Sequence, residues 1–116
     1  MGLPRSEQAR IDQRKISNYL LSPTHPVGRH KHRFFLSVGF SSDRAEDLVA
    51  TIRQVAQEGV VRGERATRYG RKYIVDGRLA APIGGIGVRT VWIVREGGRV
   101  PQFVTAFPHS LPEEEP

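Results

Sequence analysis

The chain has 116 residues, of which 38% are hydrophobic and 26% charged, and this length predicts one small domain with a modest core. It contains no cysteine, which excludes disulfides, cysteine zinc sites, iron–sulfur clusters and thiol nucleophiles. Its uncharged apolar stretches are far shorter than the ~18–20 residues that cross a bilayer, so we expect a soluble protein without a membrane span.

Positive charge dominates the sequence. Lys and Arg number 18 and Asp and Glu 12, a net charge of +6. Glu113, Glu114 and Glu115 lie in a C-terminal acidic tail, residues 111–116, so the predicted domain, residues 1–110, is more basic than the total indicates. An isoelectric point near 10.5 is typical of proteins that bind phosphates, and nucleic acid is the expected partner. Solubility alone is the simpler alternative.

The first half of the sequence predicts three helices. The first spans Ser6–Leu21, where a partial apolar stripe precedes two prolines. The second spans about Gly28–Val38. The third ends near Gly59 and begins after Asp43, which stands three residues before Glu46 as in a capping box.

The second half predicts strands. Arg71–Gly77 reads as a strand that turns at Asp76-Gly77, with Arg78–Ala81 as a possible return strand. Val88–Arg95 is rich in β-branched and aromatic residues, and Gln102–Phe107 is the last strand. The predicted fold class is therefore α+β, with N-terminal helices packed on one face of a three- or four-stranded antiparallel meander.

A basic segment at the start of the second helix is the strongest functional signal. On a helix, Lys31 lies on the same side as Phe34 and Phe35, so it points towards the core. A lysine in that place either has a chemical role or extends its ammonium past the helix end, and the two interpretations have equal weight.

Neighbouring basic residues predict an anion site there. Arg29 and Arg33 form a ridge one turn apart, with His30 at the edge of the apolar face and His25 shortly before the helix. A helix N-terminus itself attracts phosphate. Because His30 and His32 point about 200° apart and no carboxylate shares their spacing, we expect no metal, and a histidine as general acid or base is the better hypothesis.

Polar residues on the strands supply the other half of a candidate site. Thr105 and either Arg89 or Thr90 would converge on one side of the sheet, although threonine is common in strands for structural reasons. Tyr69 and Arg71 belong to a stretch that alternates aromatic and cationic residues, as surfaces that bind single-stranded RNA do. Trp92 is predicted to lie in the core.

Two resemblances follow from these motifs. Over about residues 15–108, the sequence resembles a small uncharacterised bacterial domain family. The residues that carry this resemblance are His25-Pro26-Val27-Gly28-Arg29-His30-Lys31, Phe34-Phe35, Val88–Val94 and Val104-Thr105-Ala106-Phe107-Pro108. The order of helices followed by a meander that ends in a Thr-Ala-aromatic-Pro strand also resembles the metal-independent RNase toxins of the barnase, EndoU, colicin and RelE-like group.

The second resemblance implies a function. In such toxins, residues from a helix and the sheet surround a scissile phosphate, the 2′-hydroxyl attacks, and a cyclic phosphate is formed. The resemblance implies His30 or Lys31 as acid or base, Arg29 and Arg89 as phosphate ligands, and Thr105 as a positioning hydroxyl. Barnase has a glutamate base, for which the last strands of this sequence offer no acidic counterpart.

The expected protein is thus a metal-independent endoribonuclease without a cofactor. It would be a bacterial toxin that acts in the cytoplasm, its own or that of a target cell, on tRNA or other RNA. An acidic antitoxin or immunity protein would be its partner. The alternatives are a non-catalytic module that binds nucleic acid or a partner protein, and a structural domain of a phage or secretion system.

Overall fold

Helices precede the sheet in the part of the chain that the computed structural model describes, residues 3–16 and 29–110. The α-helices are α1 (Gln13–Lys15), α2 (Arg29–Ser37) and α3 (Ala45–Glu58), with 3₁₀ turns at Ser6–Gln8 and Ser42–Arg44. The second and third predicted helices are confirmed as α2 and α3. The predicted capping box is not formed, because Arg44 is the N-cap of α3 and makes no side-chain cap hydrogen bond.

The prediction of one continuous helix from residue 6 is wrong over residues 6–16, and residues 17–21 lie outside the described chain. The Arg10 N–H donates to the Pro101 carbonyl at 2.9 Å, and the Arg10 carbonyl accepts from the Phe103 N–H at 2.9 Å. Arg10 thus pairs with the edge of the sheet instead of continuing a helix. Asp12 then starts α1 by accepting from the Arg14 N–H at 2.9 Å.

Within the described residues, four antiparallel strands form one sheet in the order β1-β2-β3-β4. They are β1 (Val60–Thr67), β2 (Gly70–Ala81), β3 (Gly84–Arg95) and β4 (Gln102–Pro108). This arrangement confirms the predicted α+β fold with an antiparallel meander. Strand β1 was not predicted, because its alternation of Arg, Gly and Glu carries little apolar pattern.

Strand β2 passes straight through Asp76-Gly77, so the turn predicted there is wrong. The strand pairs with β3 along its whole length. A Cβ atom on Gly77 would lie 3.1 Å from Val55 Cγ1 and 3.4 Å from Gly59 Cα. The glycine therefore marks the close approach of the C-terminal end of α3 to the sheet, not a reversal of the chain.

The two faces of the sheet differ in character. Helix α3 packs on β2, and the face on its side buries six apolar residues: Val75, Leu79, Val88, Trp92, Phe103 and Ala106. Trp92 is fully buried, as predicted. The opposite side is called here the outer face. Two sets of residues that pair across β2, β3 and β4 lie on it, Asp76–Arg89–Phe107 and Ile74–Val91–Thr105.

Candidate functional site

A buried carboxylate on the outer face organises the candidate site. Asp76 is fully buried and stands directly opposite Arg89 in the pairing of β2 with β3. Arg89 Nε donates to Oδ1 at 2.7 Å, and Arg89 Nη2 donates to Oδ2 at 2.8 Å. Because two parallel charge-assisted hydrogen bonds fix the plane of the guanidinium, Arg89 has a defined orientation.

Two further cationic or titratable side chains reach the same carboxylate. Arg62 Nε lies 3.8 Å and His109 Nε2 lies 3.5 Å from Asp76 Oδ2. Arg62 stands at the irregularity between Val61 and Gly63 in β1, and such bulges commonly redirect a side chain. His109 follows β4 and is held by its N–H, which donates to a β3 carbonyl. These four residues, Asp76, Arg62, Arg89 and His109, are called the Asp76 cluster.

The Asp76 cluster brings its guanidinium and imidazole groups to the protein surface. Its side chains of Arg62, Arg89 and His109 are 33%, 27% and 30% exposed, whereas Asp76 is 0% exposed. Guanidinium groups match phosphate geometry, and imidazole is the usual proton carrier near neutral pH. The arrangement can therefore bind a phosphate and move a proton beside it.

The structure separates the two threonines named by the sequence. Thr105 lies on the outer face, diagonal to Arg89 across β3 and β4, a relation that places such residues about 7–8 Å apart. Thr90 lies on the helix-facing side and is fully buried. Its hydroxyl donates to the Val75 carbonyl at 2.8 Å and accepts from Trp92 Nε1 at 2.7 Å. Thr90 thus stabilises the core in this arrangement.

Tyr69 lies in the turn before β2 and Arg71 at the start of β2, both about 20 Å from Asp76 at 3.3 Å per residue. Arg71 Nη1 lies 3.9 Å from Glu64 Oε2, and the Arg68 guanidinium lies 5.2 Å from the centre of the Tyr69 ring. Nearby, burial and the neighbouring Glu64 carboxylate raise the pKa of Tyr73. The structure does not bring this group together with the Asp76 cluster.

The basic helix α2 is fixed at its C-terminal end. The Ile83 N–H donates to the Val38 carbonyl at 3.4 Å, and Phe35 is fully buried. Lys31 is half-buried and Arg33 is exposed. His25 and the side chains of Arg29 and His30 lie outside the described part of the structure, so the roles expected for them stay predictions.

Sequence reasoning missed three members of the Asp76 cluster. Asp76 was assigned to a turn because Asp-Gly is a common turn dipeptide. The apolar alternation of Tyr73, Val75 and Leu79, which continues through Gly77, was the signal for an uninterrupted strand. The same period of two places His109 on the side of Thr105, and it could have identified this histidine. Arg62 depends on a bulge, which the pattern does not show.

Neither a metal centre nor a membrane helix is found within residues 3–16 and 29–110. No group of three or more His, Asp or Glu side chains in these segments could hold a metal ion. No helix in them is long and apolar enough to cross a membrane.

Fold and site together define a small basic α+β domain whose sheet holds a cationic cluster around a buried aspartate. The chain belongs to the family described as a domain of unknown function, DUF6883, whose profile matches residues 2–110. No curated protein matches the sequence significantly.

A solved structure shares the fold. It is a chain of the contact-dependent growth inhibition toxin–immunity protein complex from Klebsiella pneumoniae 342, with a TM-score of 0.67 and 17% sequence identity. The similarity covers 85% of this chain and 98% of that chain. At this identity the comparison shows the common fold.

Proposed function

We propose that this protein is a metal-independent endoribonuclease of the bacterial toxin type, which cleaves RNA by attack of the 2′-hydroxyl on the adjacent phosphate. The Asp76 cluster carries the proposal, because it joins two guanidiniums and an imidazole on one carboxylate at the surface of a basic domain. These groups suffice to bind a phosphate diester and to transfer a proton without a metal ion.

Each group has a role in the proposed reaction. Arg89 and Arg62 bind the scissile phosphate and stabilise the negative charge that develops on its oxygens. The 2′-oxygen loses its proton and bonds to phosphorus, while the bond to the 5′-oxygen breaks and that oxygen gains a proton. The products are a 2′,3′-cyclic phosphate and a 5′-hydroxyl end.

His109 transfers one of these two protons, and Asp76 acts through it as a positioning residue. The second proton needs another group, and the sequence nominates His30 or Lys31 on α2. The Thr105 hydroxyl, on the same face as Arg89, contacts the substrate. This assignment replaces the missing glutamate base of barnase with a histidine that a buried aspartate orients.

The toxin interpretation has two further supports. The similar chain comes from a toxin–immunity protein complex. This similarity supports the proposal that a toxin or immunity protein is the partner of this chain. The net charge of +6 favours an acidic partner, because complementary charge accelerates association and selects the right partner. An acidic immunity protein or antitoxin that covers the outer face would block access to the Asp76 cluster.

The decisive experiment is incubation of total bacterial RNA with the purified protein in EDTA, followed by analysis of the new ends. The wild type is expected to yield discrete fragments with cyclic-phosphate ends. His109→Ala and Arg89→Lys should each lower the cleavage rate about 10²–10³-fold, because one loses a proton carrier and the other the bidentate geometry.

Arg44→Ala is the matched control. Arg44 is exposed at the start of α3 and pairs with Asp47, so its loss should leave cleavage unchanged. Circular dichroism melts verify that every variant is folded. Intact RNA in the wild-type lane, or full activity in both His109→Ala and His30→Ala, would refute the nuclease and favour the binding module.

A further inference from the structure

A second basic feature lies at the other end of the outer face. A groove with a volume of about 720 Å³ is bounded by α1, the segment before it and the neighbouring ends of β3 and β4. Its polar lining consists of Arg10, Asp12, Arg14, Lys15, Arg95 and Gln102. Four cationic side chains thus face one carboxylate, and the groove as a whole is positively charged. This feature is called the basic groove.

The walls of the basic groove are fixed by backbone contacts. Arg10 is bonded on both sides to the β4 segment, and α1 is held by its Asp12 cap. Ala9 and Ile16, on either side of this stretch, are buried in the core. On the opposite wall, Arg95 Nε donates to Gln102 Oε1 at 3.1 Å. Because the backbone is anchored, the cationic side chains extend from defined positions.

Strand β3 connects the basic groove with the Asp76 cluster. Side chains alternate along a strand, so Arg89, Val91, Ile93 and Arg95 share the outer face. Ile93 and Arg95 line the groove, whereas Arg89 binds Asp76. Six residues at 3.3 Å each separate the two arginines by about 20 Å. A nucleic-acid strand of several nucleotides can therefore contact both places at once.

We infer that the basic groove is a phosphate-binding subsite for the RNA that flanks the scissile bond. This inference rests on the proposed nuclease function and specifies its substrate class: an RNA several nucleotides long or longer, not a dinucleotide. The partly exposed side chain of Ile93 lies between the two charged places and contacts the sugars and bases that join them. Cations that lie away from the reacting phosphate contribute to binding, so they lower KM for a long substrate and leave kcat unchanged.

Arg14→Gln/Lys15→Gln tests the subsite. Arg14 is 88% exposed, so this double substitution removes charge without disturbing the core. Its matched control is Arg5→Gln/Arg44→Gln, two exposed arginines outside the groove and the cluster. The substrates are a labelled RNA of about 20 nucleotides and a fluorogenic ribodinucleotide too short to reach the groove.

For the long RNA, the groove variant should raise KM about tenfold with kcat unchanged, since two phosphate contacts are lost. The dinucleotide should be cleaved at the wild-type rate. In a plot of log affinity against log salt, the slope for the long RNA should become less steep by about 1.4. An unchanged KM, an equal loss with the dinucleotide, or the same loss in the control variant would overturn the inference.

Failure of the nuclease proposal is distinguishable from failure of the subsite. If the wild type cleaves nothing, fluorescence anisotropy with the same long RNA still tests the groove. The groove variant should then bind about tenfold more weakly than the wild type with the shallower salt slope. Equal binding and equal slopes for the two proteins would refute the subsite.

Discussion

At the scale of single residues, the Asp76 carboxylate makes Arg89 part of the fold as well as of the site. Asp76 is inaccessible to solvent, and two hydrogen bonds to Arg89 offset the cost of its burial. Arg62 and His109 add further contacts to the same carboxylate. Without that negative charge, the cations of the cluster would repel one another.

Asp76→Asn should therefore destabilise the protein by about 3 kcal/mol, because it removes the buried negative charge that accepts two hydrogen bonds from Arg89. Urea unfolding measures the change in the free energy of unfolding. Asp47→Asn is the control with the same chemistry in an exposed ion pair with Arg44, and it should cost less than about 1 kcal/mol. Equal costs for the two substitutions would contradict the proposed importance of the Asp76 cluster for stability.

Tyr73 predicts a pH dependence of stability. Burial and the Glu64 carboxylate raise the pKa of Tyr73 above its ordinary value of 10.0, so the folded state holds this proton more tightly than the unfolded state. Tyr73 therefore contributes stability that is present below pH 10 and is lost as the pH rises through the raised pKa.

Urea unfolding between pH 8 and pH 11 checks this pH dependence. The stability advantage of the wild type over Tyr73→Phe should shrink above pH 10. Tyr69→Phe, which removes the hydroxyl of a tyrosine that is 59% exposed, is measured alongside as the matched control. A constant difference between the wild type and Tyr73→Phe would show that the Tyr73 hydroxyl titrates at the same pH in both states.

At the scale of secondary-structure elements, Gly77 determines how closely α3 packs on β2. A Cβ there would lie within 3.1 Å of Val55, so a branched side chain must push the helix end away. Gly77→Val should cost about 1–3 kcal/mol in the free energy of unfolding. Gly63→Val is the control, because the nearest atom to a Cβ at Gly63 is Ile74 Cδ1 at 3.9 Å.

The two variants are compared by thermal and urea unfolding. Only Gly77→Val should lower the melting temperature by several degrees, since a loss of 1 kcal/mol shifts the melting temperature of a domain of this size by about 4–8 °C. Equal melting temperatures for the two valine variants would show that α3 accommodates the added side chain without strain.

The elements also show what local sequence pattern can and cannot predict. Helices α2 and α3 and the strand that contains Trp92 were predictable, because apolar periodicity alone specifies them. The extended segment around Arg10 was not, since it depends on hydrogen-bonding groups of β4 about 90 residues later in the chain. The prediction of a turn at Asp76-Gly77 was wrong for a related reason. Packing against α3 requires Gly77, and a local pattern cannot distinguish a glycine required for packing from a glycine in a turn.

The candidate site was also predictable only in part. Arg89 and Thr105 were identified because strand alternation places them on one face, whereas the alternative Thr90 follows from a shift of one residue. Asp76 and Arg62 become members of a site only through the register of the β1–β2 and β2–β3 hairpins and the irregularity beside Arg62. Strand register, not residue type, therefore limited what the sequence alone revealed.

At the scale of the whole molecule, the proposed function assigns RNA binding to the positive charge and catalysis to the Asp76 cluster, so the two properties should separate. An RNA with a single 2′-deoxy substitution at its mapped cleavage position retains every phosphate but lacks the attacking hydroxyl. The wild-type protein should bind this RNA within about twofold of the unmodified RNA, because phosphate contacts dominate affinity. It should not cleave at the modified position.

The comparison uses one labelled RNA in its two forms, with anisotropy for binding and gel analysis for cleavage in EDTA. His109→Ala is the complementary protein variant, which should also bind both RNAs and should cleave the unmodified RNA about 10²–10³-fold more slowly than the wild type. Cleavage at the deoxy position would require an external nucleophile such as water and would contradict attack by the 2′-hydroxyl. Loss of cleavage together with an equal loss of affinity would instead assign the hydroxyl to recognition, because the site would then read the 2′-position before any bond is broken.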